Sequence, residues 1–332
     1  MSSVKAREPL RDGFERLAYM GGSRLVAAIL GLVAATLIAR HLTPADLGIW
    51  AMALAVQGYA LHLGEFGLRS VVTAEMPALK SSGGVLLKRY LKLRLTLSVA
   101  AMVLIAIGSA VLVPDRLHLM MIVGLSVPVI ALMVDWVPLV QGRHQVASML
   151  LLTRPLLFCL GLAAVSEIVT PELVALLFLL AWIGAAAMSW MFLGHQDACA
   201  NSSALAAPGD RALLHLGWPL MLVTLTNQAL MSADLLMVGL IVGTAAAGQF
   251  YLAGAVAVAG LVFANAGGQL ALARLARWRN RPDLWLQALK RELRTSLIVG
   301  GAAGLGLVFA NAGGQLALAR LARWRNRPDL WL

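Results

Sequence analysis

The chain has 332 residues, 60% of them hydrophobic and 13% charged, with a formal net charge of +11. A soluble domain is nearer half apolar and a quarter charged, so the composition excludes an ordinary soluble protein and points to a polytopic membrane protein. The basic residues lie between long apolar runs and are not interleaved with aromatics, which excludes a nucleic-acid surface and leaves membrane orientation as their role.

A helix needs about 20 apolar residues to cross the hydrocarbon. Runs of that kind predict spans at 17–39, 48–68, 93–113, 117–140, 146–166, 173–194, 215–240, 247–268 and 295–312. Pro114, Pro171 and Gly243 to Thr244 mark breaks between neighbours. The first run has no small-residue cleavage site and reads as a retained signal anchor. Lysine and arginine set the orientation. They fall in the N-terminal arm (Lys5, Arg7, Arg11, Arg16) and in the connection after the second span (Arg69, Lys80, Lys88, Arg89, Lys92, Arg94). Further on they recur at Arg143, at Arg211 and in the stretch 274–294. The intervening connections hold Arg40 and Arg116. The alternation predicts a cytoplasmic N-terminus.

In the long connection 269–294, Leu272, Leu275 and Trp278 alternate with Arg274, Arg277 and Arg281. That pattern suits either a basic helix on the membrane surface or a simple positive-inside connector. Gly306 to Leu332 repeats Gly260 to Leu286 letter for letter. Repeats that build folds are similar rather than identical and come in longer series, so 306–332 reads as a duplicate outside the native order. If 295–312 crosses, Arg320, Arg323, Arg325 and Arg327 fall on the wrong side; the tail is then foreign or the last segment does not cross.

The two halves echo each other. Ala45, Gly48, Ala53, Ala55 and Val56 match Ala245, Gly248, Ala253, Ala255 and Val256, and Trp50 matches the aromatic Phe250. Six spans separate the copies, so they share one orientation, as in a parallel repeat about an axis along the membrane normal. The first copy belongs to a longer stretch: Ala39-Arg40-His41-Leu42, then Thr43-Pro44-Ala45-Asp46-Leu47-Gly48, then Phe66-Gly67-Leu68. The second opens with Asn227-Gln228 and Asp234 ahead of Val242-Gly243-Thr244-Ala245-Ala246-Ala247-Gly248.

With these motifs the chain resembles the oligosaccharide flippases of the multidrug/oligosaccharidyl-lipid/polysaccharide exporter superfamily over residues 14–305. The resemblance implies an all-α polytopic transmembrane helix bundle of two pseudo-symmetric six-helix lobes. A full N-terminal lobe would occupy residues 1–200 and a truncated C-terminal lobe residues 201–305, with 306–332 as the duplicate. It implies outward movement of polyprenyl-pyrophosphate-linked oligosaccharide units across a bacterial inner membrane for O-antigen or capsule polysaccharide. The partners would then be that lipid-linked oligosaccharide, membrane lipids and polysaccharide-assembly proteins. Alternatives are a drug/cation antiporter of the same superfamily and a non-transporting membrane product.

A flippase must offer polar groups to a headgroup that hydrocarbon would leave unpaired. An anionic headgroup calls for cations. Arg24 in the first span and Arg154 in the fifth are candidates, each to be weighed against snorkelling to the headgroups. Asp135, between Pro128 and Pro138, would pair with Arg154 or Arg24 or carry a coupling proton. Asn227, Met231 and Asp234 share one helical face; with Gln228 they would line the cleft or bind neighbouring helices. Gln57 is placed for a hydrogen bond across the lobe, and Glu65 near the outer interface. No catalytic arrangement, metal spacing or phosphate-cradling glycine loop occurs, so neither enzyme activity nor a cofactor is expected. Cys159 and Cys199 read as isolated thiols.

Overall fold

The computed structural model describes residues 8–75, 83–112, 114–141, 143–165, 170–193 and 209–255. These residues are helical with no strand among them. The duplicated tail, the 269–294 connector, the ninth predicted span and Cys199 lie outside the described residues.

The helices are α1 (Glu8–His41), α2 (Pro44–Glu65), α3 (Leu68–Glu75), α4 (Gly83–Leu112), α5 (Leu117–Ala131), α6 (Trp136–Val140), α7 (His144–Ala164), α8 (Pro171–Leu193) and α9 (Asp210–Ile241). A tenth, α10, is described over 244–255. Seven segments of these helices are long and apolar enough to cross a membrane. They match the first seven predicted spans; the eighth opens as α10. Their outward faces carry exposed Val, Leu, Ile and Met, as lipid-facing surfaces do. The chain is an all-α, multi-pass membrane protein.

The breaks have local causes. Thr43 caps α2: its hydroxyl accepts from the Asp46 amide at 3.2 Å and Pro44 occupies the first turn, where no amide is needed. Pro171 opens α8. Gly243, at φ 118°, turns the chain from α9 into α10, a conformation a side chain would oppose.

Two compact units divide the chain, one of them Val33–Tyr251; the described residues of the other are 8–32 and 252–255. Inside Val33–Tyr251, α9 runs antiparallel along α2 and binds the two halves together. Gly239 receives Met52, Gly58 receives the Gln228 side chain, and Gly67 meets the Gly217 carbonyl. Each glycine removes the side chain that would hold the helices apart.

At the end where α2 begins, the sequence echo becomes a contact. A Cβ on Gly48 would collide with the Thr244 carbonyl, and a Cβ on Gly248 would collide with the Pro44 carbonyl. Each such Cβ would also stand 3.0 Å from the other glycine's amide nitrogen. Residue 44 thus stands to 248 as 244 stands to 48. This reciprocity is what a two-fold relation between repeats produces at its axis. Gly48→Val is therefore expected to push α2 from α10 and lower the thermal midpoint in detergent, whereas Gly22→Val, with open space around it, leaves the midpoint unchanged.

Two expectations need correction. The basic stretch after the second span is not a loop: α4 starts at Gly83, so Lys88, Arg89, Lys92 and Arg94 are helical. Leu86, Leu87 and Tyr90 draw this extension into a core with Leu68, Val72, Trp136 and Leu213. The fourth predicted span is also not one rod. The helix stops at Ala131 and resumes at Trp136. Pro138 has no amide to continue the ladder, and the chain turns instead through Leu132 N to Val129 O and Val137 N to Val134 O, at 3.1 and 3.0 Å.

Candidate functional site

Two polar centres stand out within the unit Val33–Tyr251, near opposite ends of α2.

The first surrounds the break in the fourth span. Free backbone groups inside a bilayer must find partners, and here they do. Arg94 of α4 donates to the carbonyls of Ala131 and Met133 at 3.4 and 3.3 Å. Trp190 of α8 donates to Leu132 O at 2.9 Å, and the Val134 amide donates to Ser189 Oγ at 3.3 Å. Arg94 also lies 3.6 Å from Glu65, with its side chain 5% exposed and its guanidinium beside the Tyr90 ring. The irregular segment presents Asp135 to Arg69 of α3 at 2.9 Å.

Asp135 is therefore paired, but with Arg69 rather than with Arg154 or Arg24. The physical reason is the turn after α2. Phe66 and Gly67 both take positive φ, 49° and 68°, and swing α3 back under the break. Glu65 belongs to this cluster. It sits at the far end of α2 from the Thr43 turn, where Asp46 faces Arg116 at 3.7 Å. Burial opposes the Arg69 charge, yet Asp135 and Glu65 outweigh it and hold the guanidinium pKa above its ordinary value.

The second centre surrounds Arg154. It lies midway along α7, a helix of membrane-crossing length. Its guanidinium sits 4.7 Å from the ring centre of Trp182 and 6.0 Å from that of Phe178, both on α8. Phe178 meets Trp50 and Phe158 at 5.4 and 5.6 Å in edge-to-face contacts. Tyr251 of α10 interacts electrostatically with the guanidinium, and its hydroxyl lies against the Trp50 indole. Among the described residues no carboxylate pairs with Arg154, and the indole nitrogen of Trp182 has no acceptor. A mid-membrane cation ringed by aromatics and lacking an anion is chemically suited to an anionic group.

The other candidates are dispersed. Gln228 faces α2, bonds Ser232 at 3.0 Å and covers Gly58. Asn227 and Asp234 share the opposite, exposed face of α9 with Met231. Gln57 donates across the lobe to the buried Ser126. Arg24 is exposed near the start of the membrane-length part of α1, in the other compact unit. Sequence reading missed Arg94, Arg69, Trp50, Trp182 and Tyr251. Arg94 was hidden in a basic run that looked like a connector. The one available signal was the pair of prolines flanking Asp135, which foretells carbonyls in need of a donor.

Among the described residues no group of histidine, cysteine or carboxylate side chains could hold a metal ion. No protein-family model, no curated protein and no solved structure matches the chain.

Proposed function

We propose that the chain is a flippase of the oligosaccharide-exporter type, carrying polyprenyl-pyrophosphate-linked oligosaccharide from the cytoplasmic to the periplasmic leaflet of a bacterial inner membrane. The product would feed O-antigen or capsule polysaccharide, with polysaccharide-assembly proteins as partners. The reading rests above all on Arg154, a half-buried guanidinium at mid-helix with no carboxylate partner among the described residues. A cation antiporter needs the reverse, an acidic centre; the partly buried acids Glu65 and Asp135 already face arginines. The reciprocal Gly48–Gly248 contact supports two repeats that can part on one side and close on the other.

Chemistry is not required of the protein, only solvation: the headgroup leaves water for Arg154 while its lipid tail stays among the acyl chains. The N-terminus lies in the cytoplasm on this reading, because the basic stretch 88–94 follows the second span. Outward movement of an anion gains about 2.3 kcal/mol per charge per 100 mV of inside-negative potential. Proteoliposomes holding a labelled polyprenyl-pyrophosphate sugar are thus expected to transfer it faster with the potential applied than without. Equal transfer in protein-free vesicles, or reporter fusions that place 88–94 outside, would remove this function.

A further inference from the structure

The break in the fourth span frees carbonyls of the kind that broken membrane helices offer to a cation. Here the chain supplies the cation itself. Nη1 of Arg94 donates to the Ala131 and Met133 oxygens at 3.4 and 3.3 Å, and Nη2 lies 3.6 Å from Glu65 Oε1. The Tyr90 ring covers one side of the guanidinium, 5.6 Å from its carbon.

Other residues fix these three oxygens in place. Trp190 and Ser189 of α8 bond the Leu132 carbonyl and the Val134 amide, on either side of Met133. The Met133 amide bonds Ile130 O at 3.1 Å. Glu65 is set by the end of α2, which packs on α4 so closely that a Cβ on Gly64 would stand 2.5 Å from Ser98 Oγ. Ser98 lies one turn along α4 from Arg94, on the same face. The arm fills this cradle incompletely. Charge-assisted contacts of this kind close to about 2.7–2.9 Å, and all three here are longer. Glu65 Oε1 is buried yet accepts no hydrogen bond among the described residues. The α4 backbone fixes one end of the arm, so its guanidinium does not close on all three oxygens at once.

We propose that the break is a cation site of the guanidinium class whose occupant is built in. Arg94 stands where a free ion would, and removal of its arm leaves a site that takes one up. A bare metal ion binds oxygen at about 2.0–2.6 Å, well inside these separations, so the cradle suits a planar organic cation. The charge agrees: without Arg94, the carboxylates of Glu65 and Asp135 face the Arg69 guanidinium alone. The site stands whether or not Arg154 meets a headgroup.

Arg94→Ala deletes the atoms of ethylguanidinium, which is therefore the probe. Ethylurea has nearly the same shape and no charge. The thermal midpoint of the full chain in detergent is followed as either is added. Deleting one partner of a buried pair corresponds to a dissociation constant of about 1 mM. At ten times that concentration, ethylguanidinium is expected to return about a third of the lost midpoint. Ethylurea returns none, and the parent midpoint does not move. Glu65→Gln alongside Arg94→Ala removes the cradle's charge and is expected to weaken the probe about tenfold. An undiminished response there overturns Glu65 as a ligand. Equal recovery with ethylurea means simple cavity filling and overturns the cation site, as does an equal rise in the parent. Equal recovery with sodium chloride overturns the guanidinium class. An Arg94→Ala chain that stays unfolded even when prepared with ethylguanidinium also overturns the site, because its oxygens then do not outlast the arm.

Discussion

Arg154→Leu is expected to leave the bundle as stable as the parent, or more so, while transfer of the lipid-linked substrate falls about 30-fold, the middle of the range given by losing one charge-assisted contact. The two halves of this result come from different terms. An arginine near mid-membrane costs about 2.5–3.5 kcal/mol on insertion scales, whereas leucine there is mildly favourable. Against that cost the folded protein supplies the Trp182 and Phe178 contacts, and a desolvated cation–π pair contributes about 2 kcal/mol. No carboxylate among the described residues adds to it. On the contacts of the described residues the balance favours leucine for stability, the expected pattern where a protein trades stability for activity. Thermal unfolding in detergent and a proteoliposome transfer assay on one preparation check the two halves. A variant that unfolds early would make Arg154 a structural residue and remove the proposed headgroup contact.

The helices were legible because a bilayer demands long apolar runs, and seven of those predicted match membrane-length helices. One contact was legible too: Gly48 and Gly248, matched in the sequence echo, meet in space. What composition could not convey was where charges sit along those runs. A basic residue near a span end looks the same whether it faces water or carbonyls, so Arg94 read as an orientation signal. Asp135 was visible as an intramembrane acid, but its partner depended on a turn at Phe66 and Gly67 that brings α3 back. Likewise Arg154 was visible, while the rings beneath it come from helices 28 residues on and, through Trp50, from the other end of the lobe. Pairing across helices is a property of packing, and periodicity within one helix does not encode it.

Arg94→Leu carries the opposite expectation from Arg154→Leu, a severe loss of stability with little chance of a folded, measurable transporter. Its guanidinium faces three oxygens at once, donating to the Ala131 and Met133 carbonyls and standing in ion-pair range of the Glu65 carboxylate. Removing it strands a partly buried carboxylate and frees two carbonyls at a helix break. Breaking a buried pair by deleting one partner costs about 3–5 kcal/mol, and the stranded carbonyls add to that. The Arg69–Asp135 pair is the internal control. It is tighter, at 2.9 Å, but its side chains are 41% and 20% exposed, so water screens it and its loss is expected near 1 kcal/mol. Distance alone would rank the two pairs the other way; burial decides. Arg94→Lys is expected to recover part of the loss, because an ammonium keeps the charge for Glu65 but cannot span both carbonyls in the plane a guanidinium offers. Thermal midpoints of Arg94→Leu, Arg94→Lys and Arg69→Leu should fall in that order, lowest first. An Arg69→Leu midpoint below that of Arg94→Leu would mean the break is held by α3, and not by the buried cation of α4.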